Sequence, residues 1–160
     1  MQEKTSYSRG QILVHWLIAA LIVSNWFISE GMEDAFDGSM EGTPATGFVP
    51  TWHVYAGLAV MGLVLLRLVL RWRHGAPAPM VAGTLSDKAA RLVHAALYAL
   101  MFAVPTLGAI TWYGGIDATA DLHVLAMNAM MLLALGHAAV AIFHHFVLKD
   151  GLLTRITRPS

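Results

Sequence analysis

The sequence predicts an all-α integral membrane protein, a four-helix bundle with both termini in the cytoplasm. Three observations support this: an apolar composition, four apolar runs of membrane-spanning length, and basic residues confined to one end of the bundle. Of 160 residues, 57% are apolar and 12% charged, against about 25% charged in soluble domains, and the mean hydropathy is +0.60. So few polar residues cannot cover a water-facing surface. The whole chain, residues 1–160, is therefore predicted to be one transmembrane domain.

The predicted transmembrane helices follow one another along the chain at approximately residues 11–29, 52–72, 90–113 and 122–148. Each run has roughly 18 or more apolar-dominated residues, enough to cross about 30 Å of hydrocarbon. The first could be mistaken for a signal peptide. However, it contains His15 and Asn25 and lacks a small-x-small cleavage site before Glu30, so we expect a retained helix. Pro and Gly residues between His74 and Asp87 predict the inner link.

The charged residues predict the orientation of these helices. All ten bases fall at one end of the four-helix plan: Lys4, Arg9, Arg67, Arg71, Arg73, Lys88, Arg91, Lys149, Arg155 and Arg158. The segments predicted at the other end, residues 30–50 and 114–121, contain no Lys or Arg. Their acidic residues are Glu30, Glu33, Asp34, Asp37, Glu41, Asp117 and Asp121. By the positive-inside rule, the basic end and both termini face the cytoplasm.

Histidine is the residue type that carries chemistry in this chain. The sequence has no cysteine, which excludes disulfides, iron–sulfur clusters and covalent c-type haem. Histidine in a membrane helix marks a functional site by default. Such residues are His15, His53, His94, His123, His137, His144 and His145. Taken singly, His94, His144 and His145 also fit a simpler role, a ring hydrogen-bonded to a carbonyl of a neighbouring helix.

Helix topology indicates which histidines can meet to hold a haem iron from two sides. His53 and His123 open the second and fourth helices at the outer face, so they form a natural pair. His137 lies 14 residues after His123, roughly 21 Å further along nearly the same helix face. That spacing permits two haems stacked along one face. His15 lies toward the cytoplasmic side, and by depth alone either His137 or His144 can pair with it.

A set of motifs runs through all four helices in order. They are Tyr7-Ser8-Arg9-x-Gln11-x-x-x-His15-Trp16; His53-x-x-x-Gly57 with Arg67 and Arg71; His94-x-x-x-Tyr98 followed by Pro105 and Gly108; and His123 with Asn128, Gly136-His137-Ala138-Ala139, His144-His145 and Lys149-Asp150. Each motif is weak alone, but the ordered set is specific. In these motifs the sequence resembles the bacterial cytochrome b561 family, with shortened outer loops.

The resemblance implies the cofactors and partners. It carries the family's ligands to His15 with His137 for an inner haem b, and to His53 with His123 for an outer one. It also implies a multi-pass protein of the bacterial inner membrane that moves electrons between a periplasmic donor and the quinone pool, with ubiquinone as acceptor. The expected partners are membrane lipid, quinone and a periplasmic redox protein. No nucleic-acid partner is predicted, and the oligomeric state is not indicated.

Arginine and glycine residues near the ligands have two interpretations each. Arg9, Arg67 and Arg71 can neutralise the propionates of the inner haem, because a carboxylate near the membrane needs a paired cation. They can equally set the topology or bind lipid phosphate. Gly57 and Gly136 lie within about one turn of ligands, where a missing side chain lets a macrocycle approach. Ordinary packing of small residues between helices explains them as well.

Two functions remain open at the outer face. The best-known activity of the family is superoxide oxidation coupled to quinone reduction. Superoxide is an anion whose capture is helped by positive charge, whereas the outer segments hold seven carboxylates and no base. The residue 114–121 turn also looks shorter than the family usually has. The alternative is an electron relay or membrane-anchor subunit that docks a basic partner, such as a soluble c-type cytochrome, on this acidic face.

Overall fold

The computed structural model describes residues 6–78 and 84–159, so Lys4 and residues 79–83 of the predicted inner link lie outside the described part. Within the described part the secondary structure is helical, without β-strands. The helices are α1 (Arg9–Phe27), α2 (Met32–Met40), α3 (Phe48–His74), α4 (Leu85–Gly114), α5 (Ala118–Phe143), a π-helical turn (His144–Leu148) and α6 (Thr154–Thr157).

Four of these helices are long and apolar enough to cross a membrane: α1, α3, α4 and α5 with its π-helical turn. The shortest has 19 residues and is roughly 28 Å long. This confirms the predicted four-helix membrane bundle. The two termini lie at the same end, because the Tyr7 N–H donates to the Arg155 carbonyl at 3.1 Å. We call this the inner end and the opposite one the outer end; the side of the membrane that each faces stays a prediction.

Ser8 and Gln11, three residues apart, cap the start of α1. The Ser8 hydroxyl accepts from the Gln11 backbone N–H at 3.4 Å, and the Gln11 side-chain oxygen accepts from the Ser8 N–H at 3.1 Å. This reciprocal capping box satisfies two N–H groups that the helix leaves unpaired. The Gln11 side chain also donates to the Gly75 carbonyl at 2.9 Å. The start of α1 is thereby tied to the end of α3.

The core of the bundle lies between α1 and α3. Val14 and Ile18 of α1 are buried against Val60 and Val64 of α3, and Val64 is completely buried. Side chains of α4, including Tyr98, pack against this cluster. The closest backbone packing joins α1 to α3, α4 to α5 and α3 to α4. The described bundle is therefore two helix pairs joined through α3 and α4.

A short amphipathic helix, α2, occupies part of the segment predicted as an outer loop. It follows Gly31 in a left-handed conformation and has Glu33 and Asp34 in its first turn, where negative charge is favourable. Phe36 is buried, and its ring lies 6.5 Å from that of Trp112. Because one aromatic anchor among acidic residues gives no long apolar run, hydropathy did not indicate this helix.

Helices α3 and α4 extend beyond their predicted limits at both ends. Helix α3 begins at Phe48 and α4 at Leu85, whereas the apolar runs suggested residues 52 and 90. Hydropathy marks the part of a helix that lies in lipid, but helical hydrogen bonding continues into water. A cap fixes the residue at which α4 begins, since the Asp87 N–H donates to the Thr84 hydroxyl at 3.2 Å.

Candidate functional site

The outer site consists of His53 and His123, which come from the outer ends of α3 and α5. Their ring centroids are 6.0 Å apart, with an interplanar angle of 68°. A metal–imidazole bond is about 2 Å long, so two imidazoles on opposite sides of one metal ion have their nitrogens about 4 Å apart. The ring centres then lie about 6 Å apart. The observed spacing matches this arrangement.

The ring of His123 is held by α4. Its Nδ1 lies 2.8 Å from the Val104 carbonyl oxygen, so Nδ1 carries the proton and donates. This tautomer leaves Nε2 with a free lone pair, the usual state of a metal-ligating histidine. Gly108 makes the approach possible: an added Cβ there would lie 3.0 Å from Cε1 of His123, closer than side chains normally pack.

A cavity of about 890 Å³ adjoins both rings of the outer site. This is within the size range of pockets that hold small molecules and cofactors. Its lining includes Asn25, His53, Gly57 and His123. Toward the outer end the lining carries the carboxylates of Glu33, Asp37, Asp117 and Asp121. None of the described residues that line it is Lys or Arg, so the mouth of the cavity is acidic.

The inner site brings three histidines together: His15, His94 and His137. The rings of His15 and His137 have centroids 6.5 Å apart at 86°, and those of His94 and His137 lie 5.0 Å apart at 75°. Nδ1 of His94 lies 2.7 Å from the Ala90 carbonyl of its own helix. This carbonyl belongs to α4 itself, not to a neighbouring helix as the simpler role of His94 required. The His94 ring also faces His137.

Two of the three predicted arginines lie together beside the inner site. Arg67 and Arg71 line a small pocket with Tyr7, Gln11 and Tyr98. The Arg67 guanidinium donates to the Tyr98 hydroxyl at 2.9 Å and to the Gln11 carbonyl at 3.3 Å. No carboxylate is among the described residues lining this pocket, so its positive charge is available to an anion. Arg9 is exposed at the start of α1 and does not line it.

His144 and His145 lie in the π-helical turn at the inner end. Nδ1 of His144 is 2.5 Å from Oδ2 of Asp150, and Oδ1 of Asp150 accepts from the Leu152 N–H at 3.0 Å. The hydrogen bond from His144, followed by that from Leu152, lowers the pKa of Asp150. His145 packs against Phe146, with ring centroids 4.8 Å apart. His137, rather than His144, is the histidine of α5 that lies beside His15.

The donor sets of both sites fit haem groups. In the described residues no group of three or more His, Cys, Asp or Glu side chains is arranged to hold a metal ion by itself. The histidines instead form facing pairs, which suit an iron whose other four ligands come from a macrocycle. The outer pair also adjoins a cavity and includes a buried Nδ1, that of His53, without a hydrogen-bond partner. The assignment of ligands stays a prediction.

Two residues of the outer site were missing from the sequence-based set of ligands and arginines. Gly108 provides the clearance for His123, and Asn25 donates to the His53 carbonyl at 3.2 Å. Gly57, predicted to admit a macrocycle, has the Asn25 amide nitrogen as its nearest neighbour, 3.9 Å from an added Cβ, and Gly136 has nothing within 4 Å. The available signal for Asn25 was its polarity within an apolar helix.

Comparison with known proteins identifies relatives along almost the whole chain. The sequence model of the prokaryotic cytochrome b561 family matches residues 6–159. The chain is 43% identical to cytochrome b562 of Cereibacter sphaeroides over 99% of both proteins. It is 29% identical to cytochrome b561 homolog 1 of Escherichia coli, over 94% of this chain and 96% of that protein. It is 26% identical to the probable superoxide oxidase CybB of Yersinia pestis, over 94% of both. No solved structure matches the chain.

Proposed function

Because the chain belongs to the prokaryotic cytochrome b561 family, we propose that it is a diheme cytochrome b exchanging electrons between a periplasmic donor and the quinone pool, with ubiquinone as acceptor. The coarser statements follow from family membership and the helices. The chain is a multi-pass protein of the bacterial inner membrane that binds haem b and takes part in membrane electron transfer.

The observation that carries the diheme proposal is the presence of two facing histidine pairs at two depths. His53 and His123 face each other at 6.0 Å near the outer end, and His15 and His137 at 6.5 Å nearer the inner end. Because α5 contributes His123 and His137, the two pairs are offset by roughly 21 Å along one helix. We assign one haem b to each pair, whose two imidazoles would hold its iron.

Each residue of the two sites has a role that its chemistry supports. A haem iron held by two imidazoles supplies one-electron exchange. The Val104 carbonyl keeps the proton of His123 on Nδ1 and so presents Nε2 to the metal. Arg67 and Arg71 offer fixed positive charge to propionates at the inner site. Arg9 is exposed, and its part in this stays a prediction.

Haem stoichiometry of detergent-purified protein tests this proposal. We expect a pyridine haemochrome assay to give two haems b per chain for the wild type. His53→Ala and His137→Ala should each retain about one, because each removes one axial ligand of a different pair. His145→Ala is the matched control and should keep both haems, since that ring packs on Phe146 outside both pairs.

Two results would overturn the assignment. Absence of haem b from folded wild-type protein would contradict the cofactor, and a full complement in His137→Ala would contradict the inner pair. In that second case His94 would be the next ligand to test, because its ring lies 5.0 Å from that of His137 and its Nδ1 is bonded to a carbonyl.

The electron donor has two candidates. Superoxide is favoured by the relationship to a probable superoxide oxidase, which is 26% identical. A basic redox protein, such as a soluble c-type cytochrome, is favoured by the acidic mouth of the outer cavity, where Glu33, Asp37, Asp117 and Asp121 line the surface. Carboxylates slow the approach of an anion and steer a positively charged protein. With a basic donor, the chain would act as a relay or membrane-anchor subunit.

The salt dependence of haem reduction distinguishes the two donors. With a basic cytochrome as true donor, the rate should fall as ionic strength rises, because salt screens an attraction. Asp117→Asn with Asp121→Asn should also lower it. Efficient superoxide-dependent reduction of ubiquinone, with no saturable response to the cytochrome, would instead assign superoxide as the donor. In that case the same double variant should raise the rate at low salt.

A further inference from the structure

A polar side chain reaches from α1 to the outer site. Asn25 lies two residues before the end of α1, and its side-chain N–H donates to the backbone carbonyl of His53 at 3.2 Å. An amide within an apolar transmembrane helix is costly and marks a functional position by default. An added Cβ at Gly57, one turn after His53, would lie 3.9 Å from the Asn25 amide nitrogen, so the glycine leaves room for it.

Complementary polar atoms without partners lie around this contact. The Asn25 side-chain oxygen, an acceptor, is buried without a hydrogen bond in the described structure, as is Nδ1 of His53. The indole N–H of Trp52, the preceding residue, is in the same state. A buried polar group without a partner is destabilising. The Asn25 amide already contacts the His53 backbone, so its unpaired oxygen is expected to accept from a donor near this contact.

The other ligand of the outer pair shows which donor needs that acceptor. His123 has its Nδ1 within 2.8 Å of the Val104 carbonyl, which fixes the tautomer. Nδ1 of His53 makes no such hydrogen bond, although the Asn25 backbone carbonyl lies beside the ring. A ring that ligates a metal through Nε2 must carry its proton on Nδ1, and that N–H normally donates to a carbonyl, carboxylate or water.

We propose that Asn25 is a positioning residue of the outer haem site, whose side-chain oxygen accepts from Nδ1–H of His53 while its N–H holds the His53 carbonyl. This inference rests on the proposed function, since His53 ligates only if the outer haem is bound. Asn25 does for His53 what the Val104 carbonyl does for His123. The backbone carbonyl of Asn25 also lies beside the His53 ring; substitutions leave it in place and so isolate the side chain.

Potentiometric titration of both haems in Asn25→Leu and Asn25→Asp tests the proposal. An acceptor on Nδ1–H makes the imidazole a stronger electron donor to ferric iron. Asn25→Leu should therefore raise the midpoint potential of the outer haem, or empty that site selectively, and leave the inner potential unchanged. Asn25→Asp keeps an acceptor oxygen and should hold the outer potential at or below the wild-type value. Ser24→Ala is the control, because that hydroxyl donates to the Leu21 carbonyl within α1.

Each other result overturns the proposal. An unchanged outer potential in Asn25→Leu, or equal shifts of both haems, would show that the amide does not act on His53. An equal selective shift in Trp52→Phe would assign the Asn25 oxygen to the indole instead. If Asn25→Leu does not accumulate, Asn25→Ala gives the same comparison without added bulk. If the proposed function is wrong, the wild type will not bind two haems b. If only the role of Asn25 is wrong, both haems stay bound.

Discussion

At the scale of single residues, the outer site depends on the atoms that hold the His123 ring as well as on the ring itself. The Val104 carbonyl lies 2.8 Å from Nδ1 of His123, and Gly108 leaves the space in which that ring lies. An intramembrane histidine without such contacts would be free to rotate or to protonate at either nitrogen. A hydrogen bond from the ring nitrogen that does not bind the metal commonly orients metal-ligating histidines.

Gly108→Ala tests the clearance. The new Cβ would lie 3.0 Å from Cε1 and 3.1 Å from Nδ1 of His123, so the ring must move away from Val104. Overpacking of this kind costs about 1–3 kcal/mol. The helix propensity of Ala over Gly offsets at most ~1 kcal/mol of that cost. We expect haemochrome assays to show reduced occupancy of the outer haem.

The control for this variant is Gly62→Ala on α3, where an added Cβ meets nothing within 4 Å. We expect it to keep both haems and to match or exceed the stability of the wild type. Equal haem content in the two variants would mean that the His123 ring has more freedom than the distances indicate.

At the residue level, the sequence predicted some of these contacts and left others open, and the assignment of ligands stays a prediction. The depth argument paired His53 with His123, and the structure brings their rings within 6.0 Å. It left His15 open between His137 and His144, because the depth of a histidine says nothing of what its ring bonds. The bond between His144 and Asp150 depends on a π-helical turn and on Lys149 in a left-handed conformation. Neither feature can be predicted from hydropathy.

At the scale of elements, the C-terminal segment is anchored by one carboxylate. Asp150 accepts from His144 and from the Leu152 N–H. Beyond it, the Trp16 indole N–H donates to the Ile156 carbonyl at 3.1 Å. The turn after α5 thereby directs α6 back onto α1 and closes the inner end of the bundle.

This anchor should depend on pH. The pKa of Asp150 is lowered by its hydrogen bonds to His144 and the Leu152 amide. The stabilisation by Asp150 is therefore fully present above its pKa in the unfolded chain, about 3.9. It is lost as the pH falls through the lowered pKa of the folded protein. We expect Asp150→Asn to speed hydrogen exchange of the Leu152 amide at neutral pH. The difference from wild type should disappear in acid.

Glu41→Gln, at the outer end, is the control and should leave exchange at Leu152 unchanged. A neutral-pH exchange rate in Asp150→Asn equal to that of the wild type would show that the carboxylate does not hold the turn.

Elements were predictable where a single physical signal dominates. Burial in lipid requires long apolar runs, so the four transmembrane helices were evident and the structure confirms them. Helix α2 was not, because its formation depends on one buried aromatic residue, Phe36, placed against Trp112 by tertiary packing. Helix limits were also missed, since caps such as that of Thr84 lie outside the apolar runs.

At the scale of the whole molecule, charge divides the bundle into two ends. Arg67 and Arg71 lie beside the inner histidines, whereas Glu33, Asp37 and Asp121 line the outer cavity. We expect a green fluorescent protein fused after Ser160 to fluoresce and an alkaline phosphatase fused there to be inactive, because both termini should be cytoplasmic. Active phosphatase at that position would reverse the orientation and with it the side from which a donor approaches.

The most direct test of the central claim, one haem for each histidine pair, is the haem content of two double variants. His53→Ala with His123→Ala removes both ligands of one pair and should still leave about one haem b per chain. His53→Ala with His137→Ala removes one ligand from each pair and should leave none. Equal haem content in the two double variants would contradict the pairing, because it would mean that the four histidines do not act as two separate sites.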